Sequence, residues 1–109
     1  MTDVALPAPI QEFVDATNAG DDARFAAVFT DDAYLSDWSR EFRGPEGAAE
    51  WNRTDNIGVQ AHFDVVDYAS GDDDGEHVVT LAVRSNRFNG TGPLKFRLRD
   101  GRISRLVIE

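Results

Sequence analysis

The 109-residue chain has no cysteine. That excludes a disulfide framework, a thiolate nucleophile and cysteine metal ligands, and it removes redox chemistry as a guide to compartment. Positive charge is also scarce: Lys95 is the only lysine beside ten arginines, and the formal net charge is −9. Phosphate backbones and anionic membranes need a positive partner surface, so no nucleic acid and no membrane is expected to bind. No apolar run approaches the roughly 20 residues of a membrane span. The N-terminal MTDVALPAP has neither the basic region nor the apolar stretch of a secretion signal, so the expected location is cytoplasmic. Aspartate outnumbers glutamate fourteen to six; with the arginine bias, this reads as the imprint of a GC-rich or salt-adapted source rather than of a site. The two histidines, His62 and His77, are far apart, with no helical HxxxH and no third ligand. No metal is expected. No Ser-His-Asp set, P-loop or dinucleotide fingerprint occurs, so no cofactor is expected either.

What is present is an ordered series of elements in a single domain, residues 1–109. At this size folding buries about two-thirds of the unfolded chain's surface, enough for one core with a pocket. Pro9 suits a first helical turn, and Ile10, Phe13, Val14 and Thr17 share one helical face up to a stop at Gly20. Asp21 or Asp22 caps a second helix carrying Phe25, Val28 and Phe29. A strand from Ala33 to Asp37 and a short one over Ser39–Arg43 follow. Gly44-Pro45 opens a third helix with Ala48, Trp51, Asn52 and Asp55 on its inner stripe. After Gly58 the chain reads as strands. Val59, Ala61, Phe63 and Val65 alternate with polar residues, and a turn follows at Gly71–Gly75. A long strand then covers His77–Phe88, a second turn Asn89–Pro93, and Leu94, Phe96 and Leu98 alternate up to the hairpin signal Asp100-Gly101. Helices first and strands afterwards is the α+β pattern.

Within this order Asp37 stands out. Its alternation partners Ala33 and Leu35 put a carboxylate on an apolar wall, where burial would raise its pKa and suit it to proton transfer. The other reading is a strand-end acid meeting water, an arginine or a helix cap. Asn52, on a buried helical face, needs a hydrogen-bond partner, and Asp37 is the economical one, with Trp51 opposite as an apolar pocket wall. Asp55 reads as a rim residue facing solvent. Trp38 reads as a cover for apolar sheet surface or a flap over a pocket mouth. In the His77–Phe88 strand the bulkier face, Val79, Leu81 and Val83, points inward and Arg84 outward; in the other register Arg84 and Asn86 would enter the core.

The segments NAGD, FTDDAYLSD and RGPEGAAEW, in this order of elements, resemble the nuclear-transport-factor-2-like superfamily, in particular its SnoaL-like polyketide cyclases and ketosteroid isomerases. The resemblance implies a cone-shaped fold, three N-terminal helices packed on a strongly curved antiparallel sheet, with a mainly apolar pocket and frequent homodimers. It places Asp37 where ketosteroid isomerase has its catalytic base. The tyrosine and aspartic acid that serve as oxyanion donors in that enzyme, a worked case of pKa tuning, correspond here to Phe13 and Leu94, and a supporting tyrosine to Asn52. One lost oxyanion donor typically costs about 3–4 kcal/mol, so steroid isomerisation by that mechanism is not expected. Asp37 is thus the candidate catalytic residue, with Phe13, Trp51, Asn52, Asp55 and Leu94 as candidate binding residues. Three functions remain: a pocket protein for a small, mainly apolar carbonyl compound, a cyclase or isomerase using Asp37 as general base, or a dimerisation scaffold with a vestigial pocket. A homodimer through the outer sheet face, lined by Lys95, Arg97, Arg99, His62 and Asp64, is expected because the arginines there could meet a partner's acids.

Overall fold

A computed structural model of the chain describes residues 5–70 and 76–108. The first helix, α1 (Ala8–Ala19), has Pro9 in its first turn and buries Ile10, Phe13, Val14 and Thr17 on one face. Gly20 ends it in the left-handed conformation at φ 67°, where its N–H meets carbonyls of the last turn. Asp21 caps α2 (Asp22–Ala27) by accepting a 3.1 Å hydrogen bond from the Arg24 N–H. This helix is shorter than the periodicity predicts. Val28 is its C-cap, and Phe29 already begins β1 (Phe29–Asp37). Both side chains stay buried, and residue 29 is held by parallel pairing with Ile103, a long-range contact that no local pattern reveals.

Next come β2 (Arg40–Arg43), α3 (Gly44–Asp55), a single 3₁₀ turn at Ile57–Val59, β3 (His62–Ser70), β4 (Glu76–Arg84), β5 (Gly90–Arg99) and β6 (Arg102–Ile108). The six strands form one curved, unclosed sheet in the order β2-β1-β6-β5-β4-β3. Register shifts between Val65 and Asp67 and between Arg97 and Leu98 interrupt the ladders, and such bulges bend strands. The sheet is antiparallel except for β1 and β6, which run parallel. A parallel pair needs a long connection, and the whole chain from β2 to β5 supplies it.

Two turns differ from expectation. β4 stops at Arg84, and the turn is Ser85–Asn89 rather than Asn89–Pro93. Ser85 Oγ accepts the N–H groups of Arg87 (3.1 Å) and Phe88 (2.8 Å), a local hydrogen-bonded turn that outcompetes strand continuation. The expected turn at Gly71–Gly75 lies outside the described residues. The β5–β6 hairpin turns at Asp100 and Gly101, with φ of 54° and 76°, the double positive φ of a type I′ turn. The β1–β2 hairpin has the same signs at Trp38 and Ser39, φ 50° and 75°. Asp-Gly suits that backbone; in a bulky L-residue the left-handed region costs about 1–2 kcal/mol.

The core lies between the helices and the inner sheet face and contains Phe13, Phe25, Phe29, Trp51, Phe63, Leu81 and Phe96, all buried. Arg84 points outward, its side chain 70% exposed, while Val79 and Leu81 are fully buried. On the outer face the expected arginine row meets acids of its own chain: Arg99 pairs with Asp32, and Arg97 lies 3.7 Å from Glu76. Phe96, fully buried, meets Phe13 edge to face with ring centroids 5.3 Å apart. Phe96→Ala is expected to lower the unfolding free energy by about 3–5 kcal/mol, read in urea titration as a lower midpoint at an unchanged slope.

Candidate functional site

The apolar face of α1 sets the site. Phe13 is fully buried and touches the rings of Phe25, Phe29, Trp51, Phe63 and Phe96, with centroids 5.3–6.4 Å away. Trp51 stacks on it at 17° and is stacked also by Phe25. Phe13 and Phe25, themselves 5.5 Å apart, pack together against the indole and help to set its plane. Trp51 Nε1 donates to Asp37 Oδ2 at 2.9 Å.

Asp37 ends β1 and lies on the wall of a pocket of about 350 Å³, with Trp51, Phe63, Leu81, Val83, Leu94 and Ile108 as its apolar lining. Its carboxylate is not alone on that wall. Arg40, its partner across the β1–β2 ladder, donates from a terminal nitrogen to Asp37 Oδ2 at 3.1 Å. The same guanidinium grips Asp55 at the end of α3 with two hydrogen bonds, 2.9 and 3.2 Å. Arg87, from the Ser85–Asn89 turn, reaches Asp55 Oδ1 with its Nε at 3.3 Å. Two carboxylates and two guanidiniums thus form a charge-balanced strap across the pocket mouth. Asp37 Oδ1 has no hydrogen bond among the described residues.

Asp55 is the buried end of this strap, its side chain only 6% exposed. Burial pushes its carboxyl up, but hydrogen bonds from Arg40 and Thr54 and the charges of Arg40 and Arg87 outweigh it, and the group lies below its usual range. Rather than facing solvent as a rim acid, it is the hub of the strap.

Of the expected binding residues, Trp51, Asp55 and Leu94 line the pocket beside Asp37; Phe13 and Asn52 are not among its lining. Phe13 sits behind Trp51 and Phe63 as packing. Asn52 does not pair with Asp37. It donates to Asp22 at 2.8 Å and accepts from Asn56 at 3.1 Å and from the Ile57 N–H at 3.3 Å, tying α3 to α2 and to the 3₁₀ turn. The Asp22 carboxylate in the first turn of α2 and the donors of Asn56 and Ile57 after α3 occupy its amide instead. Arg40, Arg87, Trp38 and Phe88 line the pocket without having been singled out in the sequence, apart from the flap reading of Trp38. Only the Arg40 spacing, three residues after Asp37 across a tight turn, carried a local signal for the ion pair.

A six-stranded sheet curled around a helix-backed apolar pocket with a carboxylate on its wall defines the class of small α+β pocket proteins. The chain belongs to the SnoaL-like domain family, whose model matches residues 10–106. No curated protein matches the chain by sequence. Among solved structures it is similar to a candidate polyketide cyclase from Sinorhizobium meliloti, at 23% identity and a TM-score of 0.85 over 95% of each chain. It is similar to Mycobacterium tuberculosis Rv0760c in complex with estradiol-17beta-hemisuccinate, at 15% identity and a TM-score of 0.78, covering 92% of this chain and 88% of that one. A Delta 5-3-ketosteroid isomerase from a Mycobacterium species is 18% identical with a TM-score of 0.76, covering 92% of this chain and 88% of that one. At such identities the likeness is one of fold.

Asp55 carries a pH signature. Its folded pKa lies below the ordinary value of 3.8, so the unfolded state binds more protons and stability falls as pH drops through that window. Asp55→Asn is expected to give a shallower loss of stability below about pH 4 than the wild type. Urea midpoints measured from pH 5 to pH 2.5 check this.

Proposed function

We propose that this protein binds a small, mainly apolar carbonyl compound in the pocket, with the hydrocarbon body against Trp51, Phe63 and Leu81 and the carbonyl toward the strap. The single observation behind this reading is the combination of an apolar wall with one carboxylate held in place by an indole N–H and a guanidinium. An ionised carboxylate offers no donor to a carbonyl oxygen, but a guanidinium has five N–H groups. Arg87 uses only its Nε in the ion pair described, so its terminal nitrogens are free of described partners and suit a carbonyl oxygen. A cavity of about 350 Å³ is at the small end of ligand pockets.

A second reading makes Asp37 a general base in cyclase or isomerase chemistry, supported by the unbonded Oδ1, which could take a proton from the carbon next to the carbonyl. Hydrocarbon stands at both oxyanion-donor positions, Phe13 and Leu94, so an enolate would have to be stabilised from the mouth by Arg40 and Arg87 instead. Binding is the better supported of the two.

The test is a titration with 6-propionyl-2-dimethylaminonaphthalene, a fluorescent aromatic ketone whose emission reports its surroundings. Wild-type protein is expected to bind it at micromolar concentration. Trp51→Ala is expected to weaken binding at least tenfold, about 1.4 kcal/mol, and Asp37→Asn to change it by less than about threefold. Absence of binding, or equal affinity for wild type and Trp51→Ala, overturns the reading. Proton exchange next to the carbonyl of a bound ketone, followed by NMR in deuterated water and lost in Asp37→Asn, would replace it with the catalytic one.

A further inference from the structure

Among the described residues one buried side-chain polar atom has no hydrogen-bond partner, Asn56 Oδ1, and its residue belongs to the pocket wall. Asn56 is fully buried. Every other polar group on it is used. Its backbone N–H donates to the Asn52 carbonyl at 3.3 Å, and its own carbonyl accepts from the N–H groups of Val59 and Ala61 at 3.0 and 3.1 Å. Its side-chain nitrogen donates to Thr17 Oγ1 at 2.9 Å and to Asn52 Oδ1 at 3.1 Å, which accounts for both amide hydrogens.

Turning the amide round would not cure the orphan. Asn52 Oδ1 also accepts from the Ile57 N–H at 3.3 Å, and Asn52 Nδ2 donates to the Asp22 carboxylate at 2.8 Å. A backbone N–H only donates and an ionised carboxylate only accepts, so both ends of the Asn52 amide are assigned by their partners. The Asn56 atom that faces the Asn52 oxygen must then be a donor, its nitrogen. The Asn56 oxygen is left over by the network around it. A buried acceptor without a partner is rare in a folded protein and asks for an explanation, such as a missing ligand.

We propose that Asn56 is a specificity-determining residue: its Oδ1 accepts a hydrogen bond from a hydroxyl or neutral N–H of the ligand, so the pocket selects compounds that carry a donor. The inference rests on the small-molecule reading above and adds to it a second polar group and the residue that reads it. Arg87 only donates and suits a carbonyl, whereas Asn56 Oδ1 only accepts and suits a hydroxyl. A cationic donor has no place here, because the strap of Asp37, Arg40, Asp55 and Arg87 is already balanced. Asp37 Oδ1 is the competing acceptor, but its side chain is 13% exposed and water can serve it. Asn56 is closed to solvent, and a ligand donor there meets a need that is otherwise unmet. Buried polar groups of this kind discriminate most strongly, because the analogue that lacks the donor leaves them unpaired.

The test uses a matched set of rigid ketones, each displacing the fluorescent ketone from the protein. The parent is 1-acetyladamantane. Two derivatives add a hydroxyl far from or next to the carbonyl, 1-acetyl-3-hydroxyadamantane and 1-(hydroxyacetyl)adamantane, and each has a methoxy counterpart that occupies the same place without a donor. A hydroxyl favours water, so one without a partner in the pocket weakens binding. The wild type is expected to bind at least one hydroxy ketone as tightly as the parent or more tightly, and its methoxy counterpart about tenfold less tightly. Asn56→Ala is expected to lower the hydroxy-to-parent affinity ratio about tenfold, with differences in intrinsic hydrophobicity cancelling between the proteins. The proposal is overturned if both hydroxy ketones bind the wild type tenfold or more weakly than the parent, or if the methoxy forms bind as well as the hydroxy forms. These wild-type comparisons decide it even where Asn56→Ala fails to fold. An unchanged ratio in folded Asn56→Ala also overturns it, as does a ratio that falls in Asp37→Asn alone, which would give the hydroxyl to Asp37. The small-molecule reading fails separately: Trp51→Ala then binds the parent ketone as the wild type does, or the wild type binds no ketone of the set and both proposals fall.

Discussion

The site depends on how Phe13 packs. One fully buried ring meets five others, and through them α1, α2, β1, α3, β3 and β5 share a single contact region. Aromatic pairs at such distances add roughly 0.5–1.5 kcal/mol each beyond the area they bury. Their directional consequence matters more for function. Stacking fixes the plane of Trp51, and the plane aims its N–H at Asp37. At position 13 a hydrocarbon ring braces the pocket wall from behind, packed on Trp51 and Phe63.

The strap across the mouth follows from a second constraint. Asp55 is nearly buried, and removing a carboxylate from water costs several kcal/mol unless it is paired and hydrogen-bonded. Arg40 meets that need with a two-pronged contact, planar against planar, which a lysine could not make. The terminal nitrogen that donates to Asp55 Oδ1 also donates to Asp37 Oδ2. The position of Asp37 therefore follows from two neighbours with unrelated reasons to be where they are, the stacked indole and the bound arginine.

Elements whose cause is local were legible in the sequence. The α1 stripe, the Gly20 stop, the Asp21 cap, the Asp100-Gly101 turn and the inward faces of β4 and β5 are each set by residues within a few positions of one another. The pocket wall was legible in part, since Asp37, Trp51, Asp55 and Leu94 all reach it. Features set by distant partners were not. Phe29 looks helical and is a strand residue because Ile103 lies beside it in a parallel pair. Asn52 looks like a partner for Asp37 and belongs to Asp22 and Asn56, whose positions depend on how α2 meets α3. Arg87 looks like strand and is turn, because Ser85 offers its backbone a nearer hydrogen bond.

Two departures from local rules lie on the pocket. The two hairpins with doubled positive φ show this within one sheet: the one remote from the pocket uses Asp-Gly, and the one at its mouth uses Trp-Ser. Asn56, also on the pocket wall, is fully buried and has a side-chain oxygen without a hydrogen-bond partner, although its nitrogen is satisfied by Thr17 and Asn52. An orphaned buried acceptor costs about 1–3 kcal/mol, a sizeable part of the 5–15 kcal/mol that holds a typical domain together. A sequence shaped for stability alone would carry neither feature. Their placement on one cavity sets this end of the cone apart from elements such as the Gly20 stop, the Asp21 cap and the Asp100-Gly101 turn, which obey local chemistry.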